Sequence, residues 1–132
     1  MIIDLPVAET IVIGNLGPIR FKRGYYAYVG SALGGFNSRL NRHRRKDKTP
    51  KWHVDYLLQQ GHLENIIACD TSVRVECAIA RALSGQFESI PHFGSSDCKC
   101  ASHLFYSAGE HRMREAILIA IESLSLTGRI VE

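Results

Sequence analysis

The 132-residue sequence contains no long apolar run and no internal repeat. Its longest apolar stretch, residues 116–121, is far shorter than the roughly 20 residues that a membrane-spanning helix requires. The chain also lacks a basic start followed by a small-residue cleavage site, a pattern typical of secreted proteins. We therefore expect a cytoplasmic protein with no membrane partner, in which the four cysteines are reduced thiols.

No linker or low-complexity stretch divides the chain, so we expect residues 1–132 to form a single domain. Aromatic and β-branched residues predict strands at 1–5, 9–14, 19–21, 25–29, 63–69, 104–106 and 129–131. Apolar periodicity and capping signals predict helices at 36–45, 52–59, 72–83 and 110–124. Strands that cluster early and helices that follow predict an α+β fold, a small, mainly antiparallel sheet flanked by helices. The apolar last helix either closes the core or forms the contact of a homodimer.

Positive charge is concentrated in residues 39–51, which we call the basic segment. The whole chain has a net charge of +3, whereas seven basic residues and one acid give this segment +6 and leave −3 for the remainder. A dense basic patch on a mildly acidic body is typical of a surface that binds a polyanion. A solvated helix end and loop would have the same composition. The candidate phosphate-binding residues are Arg42, Arg44, Arg45, Lys46 and Lys48.

The predicted helix 36–45 carries two polar residues close to its apolar side. At about 100° per residue, Arg39 and His43 lie on or beside the stripe that Phe36 and Leu40 form. A functional role is one interpretation of this placement. The alternatives are an arginine that extends along the edge to solvent and a histidine that is hydrogen-bonded in the core.

Glu76 is the only acid on the apolar face of the predicted helix 72–83, where Ile79 and Leu83 are its neighbours. A buried carboxylate needs a cationic partner, because its desolvation costs several kcal/mol. That partner is either an arginine, such as Arg39, or a metal ion, and the periodicity does not distinguish the two.

The predicted strand 25–29 places two phenols on one face of the sheet. Alternation puts Tyr26 and Tyr28 on one side and Tyr25 and Ala27 on the other. Packing explains such a pair, and a phenol that accepts a proton during catalysis is the alternative.

The stretch SSDCKCASH supplies both thiols and an imidazole. A structural zinc ion would take Cys98, Cys100 and His103, with Cys77 or Cys69 as the fourth ligand. The C-x-C spacing is less typical of zinc than C-x₂-C, so we disfavour zinc and prefer a polar loop with small buried thiols. A third interpretation is a layer of residues that supports an active site. Its members would be Ser95, Ser96, Asp97 and His103.

These residues together resemble the GIY-YIG nuclease superfamily. Its Tyr-Ile-Gly strand is matched here by residues 28–30, YVG, the arginine and histidine of the next helix by Arg39 and His43, and the glutamate of a later helix by Glu76. More narrowly, GYYAYVGSA, RLNRH, KWHVDYLL and FGSSDCKCASHLF resemble an uncharacterised branch of that superfamily, a domain of unknown function sometimes fused to endonuclease III. The resemblance spans about residues 17–106 and implies a GIY-YIG-like fold.

By this resemblance the chain is a metal-dependent endonuclease that hydrolyses phosphodiester bonds, with DNA favoured over RNA. The resemblance implies that Glu76 holds one Mg²⁺ or Mn²⁺ ion and that Arg39 contacts a non-bridging phosphoryl oxygen. It also implies that Tyr28, relayed by His43, accepts a proton from the attacking water.

One superfamily motif has no counterpart here. The first motif strand of the superfamily carries a glycine and a tyrosine, whereas the corresponding strand in this chain reads MIIDL. Either the natural chain begins upstream, or Tyr26 takes over part of that role, or catalysis is impaired. The alternative function is therefore a nucleic-acid-binding module on the same fold that does not cleave.

Overall fold

The computed structural model describes residues 1–30, 53–69, 75–95, 98–126 and 128–130. Its strands are β1 (Ile2–Leu5), β2 (Glu9–Val12), β3 (Pro18–Phe21), β4 (Gly24–Tyr28), β5 (His62–Asn65), β6 (Ile67–Cys69), β7 (Glu88–Ser89), β8 (Leu104–Ser107) and β9 (Gly128–Ile130). Its α-helices are α1 (His53–Gln60), α2 (Glu76–Ser84) and α3 (Glu110–Glu122), and a 3₁₀ turn spans Gly14–Leu16.

A central sheet of five antiparallel strands organises the described part of the chain, in the order β5-β1-β4-β8-β7. β2 and β3 form a separate hairpin, and β6 pairs with β9 in a second two-stranded ribbon. β4 is the middle strand, and its aromatic sequence GYYAY suits a position with strands on both sides. The sheet and its three helices confirm the predicted α+β fold.

Both faces of the central sheet are covered, so the described residues form two cores. Residues that point to one face, including Ala27 and Phe105, pack with α2 and α3. Their neighbours in sequence, Tyr26 and Leu104, point to the other face and pack with α1 and the β2–β3 hairpin. The alternation predicted for β4 is confirmed, since Tyr25 joins the first core and Tyr28 borders the second.

Most predicted elements occur with small shifts at their ends, but two strands differ. Residues 63–69 were expected as one strand and instead form β5 and β6, which belong to different sheets. β5 pairs with β1, whose four residues end at Ile2, so the chain beyond Asn65 has no further partner there. It continues past the buried Ile66 and pairs with β9. The predicted strand 9–14 ends at Val12, because the chain turns into the 3₁₀ helix at Gly14.

Two further expectations concern the predicted helix 36–45 and membrane-spanning helices. The predicted helix 36–45 lies outside the described residues. Among the helices of the described ranges, none combines the length and the apolar character needed to cross a membrane.

The start of β4 depends on a glycine. Gly24 has φ +149°, and a Cβ placed there would lie 2.7 Å from Cε1 of Tyr106 and 3.1 Å from the carbonyl oxygen of Ser107. The Tyr106 ring has little freedom to move, because its hydroxyl donates to the Arg23 carbonyl at 2.9 Å and it packs on Tyr26. The backbone at this position therefore accepts only glycine without strain.

We expect Gly24→Ala to destabilise the protein by about 1–3 kcal/mol, because it combines an unfavourable φ with a steric clash. Gly85→Ala is the matched control, since Gly85 is exposed, has φ −80° and has its nearest neighbour at 4.0 Å. The control should be neutral or stabilising by less than about 1 kcal/mol. Urea unfolding of both variants measures the difference, and equal midpoints would contradict the assigned backbone constraint.

Candidate metal centre and the adjoining aromatic corner

Four residues from three parts of the chain meet beyond the end of β4, and we call this group the aromatic corner: Tyr28, His53, Phe93 and Gly94. The Phe93 ring is fully buried and contacts Tyr28 edge-on, with 6.3 Å between ring centroids. It contacts His53 in the same manner at 5.5 Å. One buried ring therefore holds both the last residue of β4 and the first residue of α1.

His53 is fixed in orientation by the backbone. The Gly94 N–H donates to its Nδ1 at 2.8 Å, so the neutral ring carries its proton on Nε2. Burial lowers the pKa of His53 below its ordinary value of 6.5. The ring therefore presents an N–H donor at Nε2.

Two glycines enclose the ring of Tyr28. A Cβ on Gly30 would lie 2.9 Å from Cε2 of Tyr28, and a Cβ on Gly94 would lie 2.8 Å from Cε1 on the other edge. Gly94 also has φ +69°, a conformation that favours glycine. The ring can occupy this position only because neither neighbour has a side chain.

A second group lies on the other side of β4 and consists of three thiols and one imidazole; we call it the thiol cluster. Cys77 is the second residue of α2, Cys98 and Cys100 lie in the loop between β7 and β8, and His103 immediately precedes β8. Their donor atoms all lie within 4.8 Å of one another. The Nε2 atom of His103 is 3.5 Å from Sγ of Cys98 and 3.8 Å from Sγ of Cys77.

The imidazole of His103 is oriented by β4. Its Nδ1 lies 3.1 Å from the Val29 carbonyl oxygen, which can only accept, so Nδ1 carries the proton. The lone pair is then on Nε2, the atom that faces the thiols. Histidine ligands of metals in proteins are commonly oriented in this way, by a carbonyl that accepts from the other ring nitrogen.

The three thiols are not joined in disulfides. Burial first, and then the neighbouring thiols of Cys100 and Cys98, together raise the pKa of the Cys77 thiol to about 12. Without a cation, the Cys77 thiol therefore stays protonated, and its polar contacts are weak. With a cation at the centre of the three thiols, the same crowding becomes a set of ligands.

A family model for the domain of unknown function DUF123 matches residues 1–126. The chain belongs to the DUF123 family. No curated protein and no solved structure matches the chain.

The thiol cluster of this DUF123 domain corrects the cofactor prediction. The sequence favoured Mg²⁺ or Mn²⁺ and disfavoured zinc, yet the group of described residues that could hold a metal ion consists of three cysteines and a histidine. Thiolates are soft ligands that suit zinc, whereas Mg²⁺ takes oxygen ligands. The prediction was wrong because it relied on the C-x-C spacing. Helix α2 brings Cys77 to the C-x-C pair, and no motif near that pair in the sequence indicates this.

The predicted catalytic residues lie in different settings. Tyr28 is half-buried in the aromatic corner, and Glu76 is half-buried as the first residue of α2, next to Cys77. Tyr26 is 1% exposed and its hydroxyl donates to the Lys22 carbonyl at 2.6 Å, and burial raises its pKa above that of an ordinary phenol. This environment suits a core residue better than a proton acceptor. Arg39 and His43 lie outside the described residues.

Of the four residues predicted to support an active site, two lie among the described residues. Ser95 is buried, and its carbonyl accepts the N–H of Cys98 at 3.3 Å, while His103 belongs to the thiol cluster. We expected Ser95 and His103 to belong to a layer that supports an active site, whereas they lie beside and within the thiol cluster. The other predicted site residues that fall outside the described residues are Arg42, Arg44, Arg45, Lys46, Lys48, Ser96 and Asp97.

Sequence reasoning did not find the pairing of His53 with Gly94. The two residues are 41 positions apart, and neither belongs to a motif that signals the other. The structure gives His53 both a packed ring face and a fixed tautomer.

The lowered pKa of His53 predicts a pH-dependent stability. Because the unfolded chain binds a proton more readily than the folded one, this contribution is present above about pH 6.5 and is lost as the pH falls below it. His53→Asn removes the titration while its amide oxygen can still accept from Gly94. Urea unfolding at pH 7.5 and pH 5.5 should show a larger loss on acidification for the wild type than for the variant. Equal losses would contradict a depressed His53 pKa.

Proposed function

We propose that this protein binds nucleic acid, DNA in the first instance, through contacts of its basic segment with the phosphate backbone. The observation that carries the proposal is the aromatic corner. The basic segment lies between Gly30 and His53 in the sequence, and Gly94 contacts both Tyr28 and His53. The described residues that flank the stretch 31–52, which contains the basic segment, therefore meet at one corner of the domain.

The charge distribution supports a polyanionic partner. Outside the basic segment the chain carries −3, so a phosphate backbone would be attracted to the basic segment and weakly repelled by the remainder of the chain. Contacts of arginine and lysine with phosphates give affinity without reading sequence. The corner itself adds the half-buried phenol of Tyr28 and the Nε2–H of His53, both of which can donate to phosphate oxygens.

The double variant Arg44→Ala/Arg45→Ala tests this assignment. If both side chains contact phosphates, the slope of log affinity against log salt should flatten by up to about 2 and affinity should fall at low salt. Fluorescence anisotropy with labelled duplex DNA, single-stranded DNA and RNA over a salt series measures both quantities. Arg81→Ala/Arg112→Ala is the matched control, because it removes the same charge from exposed positions on α2 and α3.

The control should bind with nearly the wild-type salt slope. If both double variants change the slope equally, binding depends on net charge and the basic segment has no special role. Tighter binding of RNA than of DNA would change the proposed ligand from DNA to RNA and leave the basic segment as the proposed binding surface.

Hydrolysis of the bound phosphodiester is a second candidate function, and the positions of Tyr28 and Glu76 favour it. Val29, which follows Tyr28, is hydrogen-bonded to His103. The Nε2 atom of His103 lies 3.8 Å from Sγ of Cys77, the residue after Glu76. A short chain of contacts thus joins the two backbones that carry the phenol and the carboxylate. In the resemblance described above, Tyr28 accepts the proton of the attacking water and Arg39 stabilises the charge on the phosphoryl group.

We expect Glu76→Gln to reduce cleavage by at least about 100-fold while DNA affinity stays within a few-fold, because it removes the charge and keeps the shape. The control Glu122→Gln, at an exposed position at the end of α3, should cleave like the wild type. Gel assays on duplex, branched and single-stranded substrates and on RNA measure the rates. Absence of cleavage by the wild type on every substrate would exclude hydrolysis and leave the binding function.

A further inference from the structure

We propose that the thiol cluster holds one structural zinc ion, with Sγ of Cys77, Cys98 and Cys100 and Nε2 of His103 as its four ligands. As the ion binds, the three thiols release their protons to solvent and the site gains Zn²⁺ and three thiolates. This inference goes beyond the proposed function, since it depends on neither nucleic-acid binding nor cleavage.

The spacing of the donor atoms fits tetrahedral zinc. Bonds of about 2.3 Å to sulfur and about 2.0–2.1 Å to nitrogen place a sulfur and a nitrogen ligand about 3.6 Å apart at the tetrahedral angle. The two Sγ···Nε2 distances given for His103 are 3.5 and 3.8 Å. Two sulfur ligands would be about 3.8 Å apart by the same reasoning, and the whole set of donors lies within 4.8 Å. Small movements are enough to bring all four atoms to bonding distance.

The donor set indicates a structural ion. Four protein ligands fill the tetrahedral coordination of zinc and leave no position for a substrate or a reactive water. Three of the ligands come from the stretch between β7 and β8, which has no helix or strand among its described residues 90–95 and 98–103. A metal cross-link would add to the backbone hydrogen bonds that join this loop, which include His92 N–H to the Ala101 carbonyl at 2.7 Å and His103 N–H to the Phe93 carbonyl at 2.8 Å.

The ion would also hold two other elements in place. Cys77 fixes the first turn of α2, where Glu76 lies. His103 accepts the Val29 N–H at its carbonyl oxygen at 3.0 Å and donates Nδ1–H back to the Val29 carbonyl. Zinc at the cluster therefore fastens α2 and the end of β4 to the same loop.

Metal analysis of the full-length protein, purified without chelator, tests the site directly. We expect about one equivalent of zinc per chain, and titration of chelated protein with Co²⁺ should give the strong visible absorption of a tetrahedral cobalt–thiolate centre. Less than about a tenth of an equivalent of zinc, together with no cobalt–thiolate absorption, would overturn the proposal. Both measurements use the wild type, so they decide the question even if a variant fails to fold.

Cys98→Ser and His103→Gln should each lose stoichiometric zinc, whereas Cys69→Ser, which changes the chain's remaining cysteine on β6, should keep it. Chelation of the wild type should lower its melting temperature by about 10 °C or more, and added zinc should restore it. Loss of zinc from Cys69→Ser, with retention by Cys98→Ser, would assign the ion to a different ligand set and overturn the proposal.

Hydrogen exchange tests whether the ion fastens β4. Removal of zinc should increase the exchange rate of the Val29 amide, which donates to His103, by at least about tenfold, with a much smaller change at the Tyr26 amide inside the strand. Equal exchange with and without bound zinc would show that the ion does not hold the end of β4. None of these measurements depends on nucleic acid, so their failure is distinguishable from failure of the proposed function.

Discussion

The paired hydrogen bonds between His103 and Val29 are the interaction on which both described sites depend. The backbone N–H of Val29 donates to the His103 carbonyl, and the imidazole Nδ1–H donates to the Val29 carbonyl. The first bond continues the pairing of β4 with β8 by one residue beyond the sheet. The second turns the ring so that Nε2 faces three thiols. The contact between these two residues therefore sets where β4 ends and how the candidate metal ligand is oriented.

The middle strand connects the two cores to the two sites. Tyr26 anchors β4 in the core beneath α1, and each fully buried large side chain of this kind contributes about 1.5–3 kcal/mol relative to exposure. Two residues further along, the same face presents Tyr28 beside Phe93, at the border of that core. The aromatic corner is thus an extension of the core to the surface, so its geometry is as rigid as the packing behind it.

The sequence predicted elements well where a pattern is local and poorly where partners are remote. Alternation in residues 25–29 identified β4 and its two faces, because a period of two is written in adjacent residues. The split of 63–69 into β5 and β6 depends on where β1 ends, which no pattern within that stretch reports. The same limit applies to the thiol cluster: the C-x-C pair is visible, but the fold decides that Cys77 completes it. Short spacing was given too much weight against a distant fourth ligand.

Under the proposed function, the two sites would serve different physical tasks. Arginine and lysine in the basic segment would supply positive charge to a phosphate backbone at little desolvation cost. Such a charged segment has few apolar residues with which to anchor itself, so its ends must be held by other parts of the molecule. The aromatic corner joins Tyr28 and His53, which flank the stretch that contains the basic segment, through the buried ring of Phe93, while the thiol cluster offers ligands that suit a closed, unreactive ion.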